Sequence, residues 1–188
     1  MTLVSARSAL ALSLLAAGLL VHAQSSASAE VGQSIADVLR DKAKADVAFV
    51  PEGVFTTAEG SLVSQVQYPT DTVQVVGLTG AQIRAALEQS VSIYPTQNPA
   101  FLHVSGLTFT FSSSKPSKHR IGNIKVGDTP LDEAHKYRVA MPGNLAKGGL
   151  GYFTIWKRTS IEAASFSSLE DVLKGKPVVK QEPRWKEG

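Results

Sequence analysis

The sequence predicts a single α+β domain in which a mixed β-sheet packs with two or three helices. Segments with apolar residues at helical spacing are few, and segments rich in β-branched and aromatic residues are more numerous. The two kinds do not alternate regularly along the chain. Regular alternation is typical of doubly wound parallel sheets, so the irregular order favours an α+β domain.

The first half of the chain predicts two helices and three strands. A helix is expected over 31–45, where charged side chains separate apolar residues at helical spacing: Val31, Ile35, Val38 and Leu39. The apolar run 46–50 predicts a buried strand ended by Pro51, and both the alternating segment 63–68 and the β-branched segment 72–78 predict strands. The second helix follows Thr79-Gly80, with an inner face of Ile83, Leu87 and Val91.

The second half is richer in strands. The strongest β signal is the run FLHVSGLTFTF at 101–111, followed by a strand that ends in the hairpin signal Gly127-Asp128 and by another at 136–142. SLEDVLKG at 168–175 predicts a short closing helix capped by its first serine. The basic tail 174–188, with two prolines and interspersed glutamates, is interpreted as a solvated terminus.

The chain opens with features of a secretory signal. An uncharged apolar run of 13 residues, Ala9 to Val21, follows Arg7. A membrane span needs about 20 apolar residues, so we expect a signal peptide over 1–23 and no transmembrane anchor. Small residues allow cleavage after Ala23 or as late as Ala29. The expected product is a periplasmic or secreted domain over 31–186.

Composition excludes several classes of protein. The chain has no cysteine, which rules out disulfides and thiolate metal sites. Removing 1–23 takes away Arg7 and no acidic residue, so the net charge falls only from +3 to +2. That charge is too small to indicate binding to nucleic acid.

No catalytic or metal-binding constellation is predicted. The three histidines after the signal segment lack a second ligand at metal-binding spacing: His103, His119 and His135. Ser105 lacks the Gly-x-Ser-x-Gly context of an activated nucleophile. Asp37 and Glu88 lie on predicted helices, where a cap or an ion pair is expected. We therefore expect neither a catalytic residue nor a cofactor in this chain.

Five motifs in order resemble the C-terminal domain of the 5'-nucleotidase family. They are IADVLRDKAKADVAFVPEG, VVGLTGAQIRAALEQSV, FLHVSGLTFTF, YRVAMPGNLAKGGLGY and SLEDVLKGKPVV. The resemblance runs from about Val31 to Trp185. It implies an α+β domain that follows a metallophosphatase domain holding two metal ions and that supplies the pocket for the nucleoside part of the substrate.

The resemblance also implies a set of ligand-binding residues. The family's glycine-rich turn presents an aromatic ring to the base, and here that ring would be Tyr152, carried by a turn of Gly148, Gly149 and Gly151. Glycines permit positive φ, which lets a ring project from a tight turn. The alternative is that Tyr152 and Phe153 pack beneath the loop.

The sequence departs from the family pattern at two other places. Of the family's Asn-x-Gly-Gly-x-Arg turn only Gly53 is retained, and Val50 and Phe55 stand where the substrate-binding Asn and Arg are usual. Pro69 stands at the place of a second stacking phenylalanine, and the adjacent Tyr68 is the candidate substitute.

Three functions follow as expectations, because no metallophosphatase domain is recognised in the chain. The first is an exported module that is not catalytic alone and binds a nucleoside, a nucleotide or a protein partner. The second is the substrate-binding half of a split nucleotidase or phosphoesterase, with a separate metallophosphatase chain supplying divalent metal. The third is a structural subunit of an envelope assembly, with the former pocket filled by Phe55. Whether the chain takes part in catalysis is left open.

Overall fold

The computed structural model describes residues 28–56 and 60–188. The predicted signal peptide, 1–23, lies outside the described residues. The described helices are α1 at 28–43, α2 at Gly80–Ser90, α3 at Gly143–Ala146 and α4 at Leu169–Leu173. The helices α2 and α4 begin at capping boxes, in which Thr79 and Ser168 each accept a hydrogen bond from the backbone three residues later.

The strands of the described chain form two sheets. The strands are β1 Val47–Pro51, β2 Thr72–Thr79, β3 Leu102–Ser105, β4 Leu107–Phe111, β5 Ile121–Val126, β6 Thr129–Pro130, β7 Lys136–Pro142, β8 Ile161–Ser168 and β9 Trp185–Glu187. One sheet has the order β3-β1-β7-β2-β8 and the other has the order β6-β5-β4-β9. The pairs β1–β7 and β4–β9 are parallel and the remaining pairs are antiparallel. This mixed arrangement confirms the predicted α+β class.

The strand β1 of the five-stranded sheet is buried on both faces. Along β1, Val47 and Phe49 belong to one apolar cluster, whereas Ala48 and Val50 belong to another. Alternate residues of a strand point to opposite faces, so the two clusters lie on opposite sides of the sheet. The first cluster includes the apolar face of α2 and the inner face of the four-stranded sheet, and the second includes the apolar faces of α1 and α4. This explains why β1 is apolar at every position.

The run FLHVSGLTFTF forms two strands and not one. Gly106 has φ +78°, and a Cβ there would lie 2.2 Å from the backbone oxygen of Asp46. A glycine is therefore needed where the chain leaves the five-stranded sheet and enters the other. Within β4 the residues alternate between buried and exposed, and the buried ones are Leu107, Phe109 and Phe111.

Three other segments differ from the sequence interpretation. Residues 63–68 form turns, with a single bridge between Phe55 and Val66, instead of a strand. The strand β8 lacks a clear signal in the sequence. The basic tail is not simply solvated, because β9 pairs with β4 and the Arg184 side chain forms an ion pair with Asp37 at 2.8 Å.

None of the helices described by the structure is long and apolar enough to cross a membrane.

Candidate functional site

A cleft of about 140 Å³ lies where three loops meet. Its walls come from residues 51–54 at the end of β1, from 67–71 before β2 and from 144–150 around α3, with Leu169 of α4 completing them. Two of the predicted ligand-binding residues, Gly53 and Tyr68, line this cleft. The topology brings these loops together because β1, β7 and β2 are neighbours in the sheet.

The glycine-rich turn forms one wall of the cleft. Its backbone has positive φ at three positions, Gly148, Leu150 and Gly151, with values of +89°, +55° and +86°. The Gln89 amide at the end of α2 donates a hydrogen bond of 3.1 Å to the Leu150 carbonyl. Positive φ is unfavourable for leucine, so tertiary contacts must maintain it. The Leu150 side chain is 40% exposed and faces the cleft.

Tyr152 does not present its ring to the cleft, and this part of the sequence interpretation is wrong. The ring is fully buried and stacks on Trp156 with centroids 4.8 Å apart and an interplanar angle of 17°. Its hydroxyl donates a 2.6 Å hydrogen bond to the Ala100 carbonyl, and burial raises its pKa far above the ordinary value. The exposed ring of the turn is Phe153, 65% accessible, which does not line the cleft.

The loop that carries Tyr68 forms another wall of the cleft. The Tyr68 side chain is 55% exposed. Asp71, in the same loop, holds the loop in place through hydrogen bonds. The Asp71 carboxylate accepts backbone hydrogen bonds from Thr72 at 2.8 Å and from Asn144 at 2.9 Å. A Cβ at position 143 would lie 2.6 Å from this carboxylate. A glycine at 143 is therefore needed for Asp71 to approach the backbone N–H of Asn144. Asp71 therefore joins the loop that carries Tyr68 to the wall that contains Asn144.

The three predicted glycines have different positions. Gly53 lines the cleft and its N–H donates a 2.8 Å hydrogen bond to the Pro99 carbonyl. Gly149 packs on Asn144, where a Cβ would approach the backbone oxygen to 2.8 Å. Gly151 supplies one of the positive φ angles. The latter two shape the wall without lining the cleft, and ligand binding by any of the three stays a prediction.

The polar groups of the cleft suit a neutral ligand. The side-chain amides of Gln67 and Asn144 are exposed and line the cleft, and neither makes a hydrogen bond within the described part of the chain. An amide can give and accept one hydrogen bond along the edge of a base. No lysine or arginine is found among the described lining residues, and Asp71 is the charged residue there. Neither amide could be singled out from the sequence, although Asn144 falls within a motif of the resemblance.

Other candidate residues have structural roles. Phe55 does not line the cleft and instead lies 5.2 Å from the His103 ring, so it does not plug the cleft. Glu88 accepts backbone hydrogen bonds from Arg120 and Ile121 at 2.9 and 2.8 Å. Burial raises the pKa of Asp37, but hydrogen bonds from Arg184 and Ser105 outweigh it and hold that pKa below the ordinary value.

Within residues 28–56 and 60–188, no group of three or more His, Asp and Glu side chains could hold a metal ion. These residues therefore do not form the two-metal centre that the resemblance implies for a metallophosphatase domain, and no step of metal chemistry is assigned to them.

The fold is that of a small α+β domain with a cleft between its loops, and comparison with known proteins identifies its family. A family model described as "5'-nucleotidase, C-terminal domain" matches residues 9–158. The match covers well over half of the chain, so the chain belongs to this family. It is also similar to the 5'-nucleotidase precursor from Thermus thermophilus, with TM-score 0.73 and 27% identity, covering 84% of this chain and 35% of that one.

Two curated relatives match over shorter segments. The trifunctional nucleotide phosphoesterase protein YfkN of Bacillus subtilis is 36% identical over 87 residues, 44% of this chain and 6% of YfkN. The cell wall protein Lmo0130 of Listeria monocytogenes is 35% identical over 95 residues, 49% of this chain and 12% of Lmo0130. The chain thus spans a small part of the length of these relatives.

Proposed function

We propose that this chain is an exported ligand-binding module that holds the base of a nucleoside-like ligand in the cleft between Tyr68 and Leu150. The observation that carries the proposal is the cleft itself, which has an exposed ring on one wall and two unpaired amides. Relatives named as 5'-nucleotidases and nucleotide phosphoesterases support this choice of ligand.

The size of the cleft limits what it holds. Pockets for drug-sized ligands measure about 300–1,000 Å³, whereas this cleft measures about 140 Å³. It therefore encloses one ring system and leaves the remainder of the ligand outside. The absence of lysine and arginine from its described lining means that a phosphate group gains little from the cleft.

The expected affinity is weak. Stacking on one aromatic ring contributes about 1–3 kcal/mol, and each amide hydrogen bond contributes about 1 kcal/mol. Together these contributions approach the roughly 4 kcal/mol that corresponds to a Kd of about 1 mM. Removal of the Tyr68 ring should therefore reduce binding below detection in most assays.

The proposal is tested by titrating the labelled protein with adenosine and following the backbone resonances of Gly53 and Leu150 by NMR. Saturable shifts are expected in the wild type and in Tyr68→Phe, which keeps the ring. Tyr68→Ala should weaken binding by about tenfold or more, as the loss of one stack predicts. AMP should bind within about threefold of adenosine, because the described lining offers the phosphate no cation.

The matched control is Ile93→Ala, which removes an exposed apolar side chain outside the cleft and should leave adenosine binding unchanged. Equal affinities in Tyr68→Ala and in the wild type would overturn the proposal. Shifts confined to residues far from the cleft would do the same.

A catalytic partner is a second proposal, supported by the lengths of the relatives. The chain corresponds to 35% of the Thermus thermophilus 5'-nucleotidase precursor, so that protein has a further region of its own. We propose that a separate metallophosphatase chain with its divalent metal meets the open side of the cleft. Hydrolysis of AMP that requires both chains, and that Tyr68→Ala reduces, is the expected result.

Export is proposed from the N-terminal apolar run and from the likeness to a cell wall protein. The structure bears on the cleavage point. Ala29 is 1% exposed within α1, and the Ser28 hydroxyl donates a 2.6 Å hydrogen bond to Glu52. Cleavage after Ala29 would remove both residues, so we propose cleavage after Ala23. Intact mass measurement of the exported protein decides between the two.

A further inference from the structure

A second and larger cavity, of about 390 Å³, adjoins the turn formed by residues 52–54. Its other walls come from the loop 94–99, from the start of β3 and from Trp185 of β9. Among the described residues, Gly53 alone lines both this cavity and the cleft. The volume falls within the range of about 300–1,000 Å³ that is typical of small-molecule sites.

The wall of this cavity contains a carboxylate, that of Glu52. One of its oxygens accepts a 2.6 Å hydrogen bond from the Ser28 hydroxyl, and Nε2 of His103 lies 2.6 Å from the other. Both of these partners line the cavity as well, so the carboxylate is held between two lining residues. Burial raises the pKa of Glu52, but the hydrogen bonds from His103 and Ser28 outweigh it and hold the pKa below its ordinary value. Glu52 is therefore ionised at neutral pH.

The Glu52 carboxylate can accept further hydrogen bonds. An ionised carboxylate offers about four lone-pair positions, and the described residues occupy one on each oxygen. The Glu52 side chain is 38% exposed, whereas the His103 side chain is 2% exposed. A ligand in the cavity therefore meets the carboxylate and not the imidazole, whatever the protonation state of that ring.

Three partly exposed aromatic rings supply the apolar part of the wall, and they belong to Tyr94, Phe101 and Trp185. Trp185 meets Phe101 at 5.6 Å with an interplanar angle of 75°, and it meets Tyr94 at 6.2 Å with an angle of 70°. Aromatic pairs favour such edge-to-face contacts, so the rings hold one another in place. Their exposed parts offer apolar contact to a ligand of about one-ring size.

The carboxylate and the rings are close neighbours. The His103 imidazole links them, because its Nε2 lies 2.6 Å from the carboxylate and its centroid lies 5.4 Å from that of the Phe101 ring. The Glu52 backbone N–H also donates a 2.8 Å hydrogen bond to the Phe101 carbonyl. A ligand that carries a polar group on a short spacer from a ring can therefore contact both.

The loop 94–99 is fixed by hydrogen bonds on the protein side. The Asn98 amide donates to the Ser90 carbonyl at 2.7 Å, and its oxygen accepts from the Ala100 N–H at 3.0 Å. The Arg120 guanidinium donates to the Tyr94 carbonyl at 3.1 Å. The cavity is therefore formed before a ligand enters, which reduces the entropy that binding must overcome.

We propose that this cavity is a second ligand site and that it binds a small primary amine, in its ammonium form, with an aromatic or other apolar body. The ammonium group donates a charge-assisted hydrogen bond to Glu52, while the body contacts the three rings. No lysine or arginine of the described lining competes for the carboxylate. An anionic ligand would meet a like charge there and is disfavoured.

The experiment titrates the labelled protein with 2-phenylethylamine, which is protonated at neutral pH as alkylamines are. The matched probes are 2-phenylethanol, which is neutral, and phenylacetate, which is an anion. Each is added to about 10 mM, tenfold above a millimolar Kd. The amine is expected to give saturable NMR shifts of the Trp185 indole N–H and of the Asn98 amide. The other two should bind about tenfold more weakly or less, because they lack the ammonium.

The indole signal can be assigned because the chain has two tryptophans and Trp185→Phe removes one of the two signals. Glu52→Gln keeps the size of the side chain and removes its charge, so it should weaken amine binding about tenfold and leave binding of the alcohol unchanged. Asp71→Ala removes the carboxylate of the cleft and should leave amine binding unchanged. If Glu52→Gln does not fold, the comparison of amine with alcohol in the wild type decides alone.

Four results would overturn the proposal. The amine gives no saturable shift at these residues, or the alcohol or phenylacetate binds as tightly as the amine. Glu52→Gln, folded by its amide spectrum, binds the amine as the wild type does. Asp71→Ala loses amine binding, which would place the amine in the cleft.

Discussion

Tyr152 lies in the turn that forms one wall of the cleft and Tyr68 lies in the loop that forms another, and the two rings have opposite environments. Tyr152 is fully buried in the main apolar cluster, whereas Tyr68 is 55% exposed. The sequence offers both as candidates for the same task. The comparison shows that a glycine-rich turn can direct an aromatic ring inward to anchor the turn, and that the neighbouring Leu150 and Phe153 are then the side chains left outside.

The two walls also differ in what holds them. The glycine turn depends on Tyr152, which stacks on Trp156 and bonds to Ala100, and on backbone with positive φ. The loop at 67–71 depends on main-chain bonds and on the Asp71 carboxylate. The Tyr68 ring is therefore free to serve a ligand, because folding does not require it.

The largest expected effect on stability is that of Tyr152→Ala. Truncation of a fully buried aromatic residue costs about 3–5 kcal/mol, because packing is lost and a cavity is left. Tyr152→Phe keeps the stacked ring and loses the hydrogen bond to Ala100, so it should cost about 1 kcal/mol. Urea unfolding of both variants measures the difference. A cost below about 1 kcal/mol for Tyr152→Ala would show that the ring does not anchor the wall.

The next effect is that of Gly148→Ala. Gly148 has φ +89°, and a Cβ there would lie 2.7 Å from the Cα of Phe153, so strain and collision together should cost about 1–3 kcal/mol. Gly175→Ala is the matched control, because Gly175 has φ +71° and open space around it. It should cost about 1 kcal/mol. Equal unfolding free energies in the two variants would show that the collision with Phe153 does not contribute to the loss of stability.

Asp71→Ala should have a smaller effect, of about 1–2 kcal/mol, because two backbone N–H groups lose a charged acceptor and one is partly exposed to water. Adenosine binding should weaken as well, since Asp71 joins the walls of the cleft. Asp128→Ala, at the exposed β5–β6 hairpin, is the control and should change neither quantity. Thermal unfolding of each variant measures the change in stability, and titration of the same sample with adenosine measures the change in affinity.

The smallest expected effect on stability is that of Tyr68→Ala, below about 0.5 kcal/mol, as is usual for exposed positions. The same change is expected to cause the largest loss of adenosine binding. A destabilisation comparable to that of Tyr152→Ala would mean that both rings serve the fold and that the two walls are alike.

Most of the fold follows from the sequence. Helical spacing predicts α1 and α2, the serine cap predicts α4, an apolar run predicts β1, and β-branched and aromatic residues predict β2 and β4. Two features could not be predicted in this way. The run 101–111 is rich in apolar and β-branched residues on both sides of Gly106, so only that glycine marks where the chain changes sheets. The three residues of β9 carry little signal, because their order comes from pairing with β4 and from the Arg184–Asp37 ion pair.

The candidate site could be predicted only in part. Gly53 and Tyr68 follow from the resemblance and line the cleft. Tyr152 also follows from the resemblance but does not line the cleft. The motif indicates the backbone conformation of the turn, but it does not show which side chains of the turn point into the core. Gln67 and Asn144 could not be selected at all, since an exposed amide acquires a role only from the loops that tertiary structure brings beside it.

The central claim is that both walls contact one ligand, and intermolecular nuclear Overhauser effects between adenosine and the protein test it most directly. The account predicts contacts from the base protons to the Tyr68 ring and to the Leu150 methyl groups in the same complex. Contacts to the Phe153 ring with none to Tyr68 or Leu150 would contradict it, and would place any ligand outside the cleft.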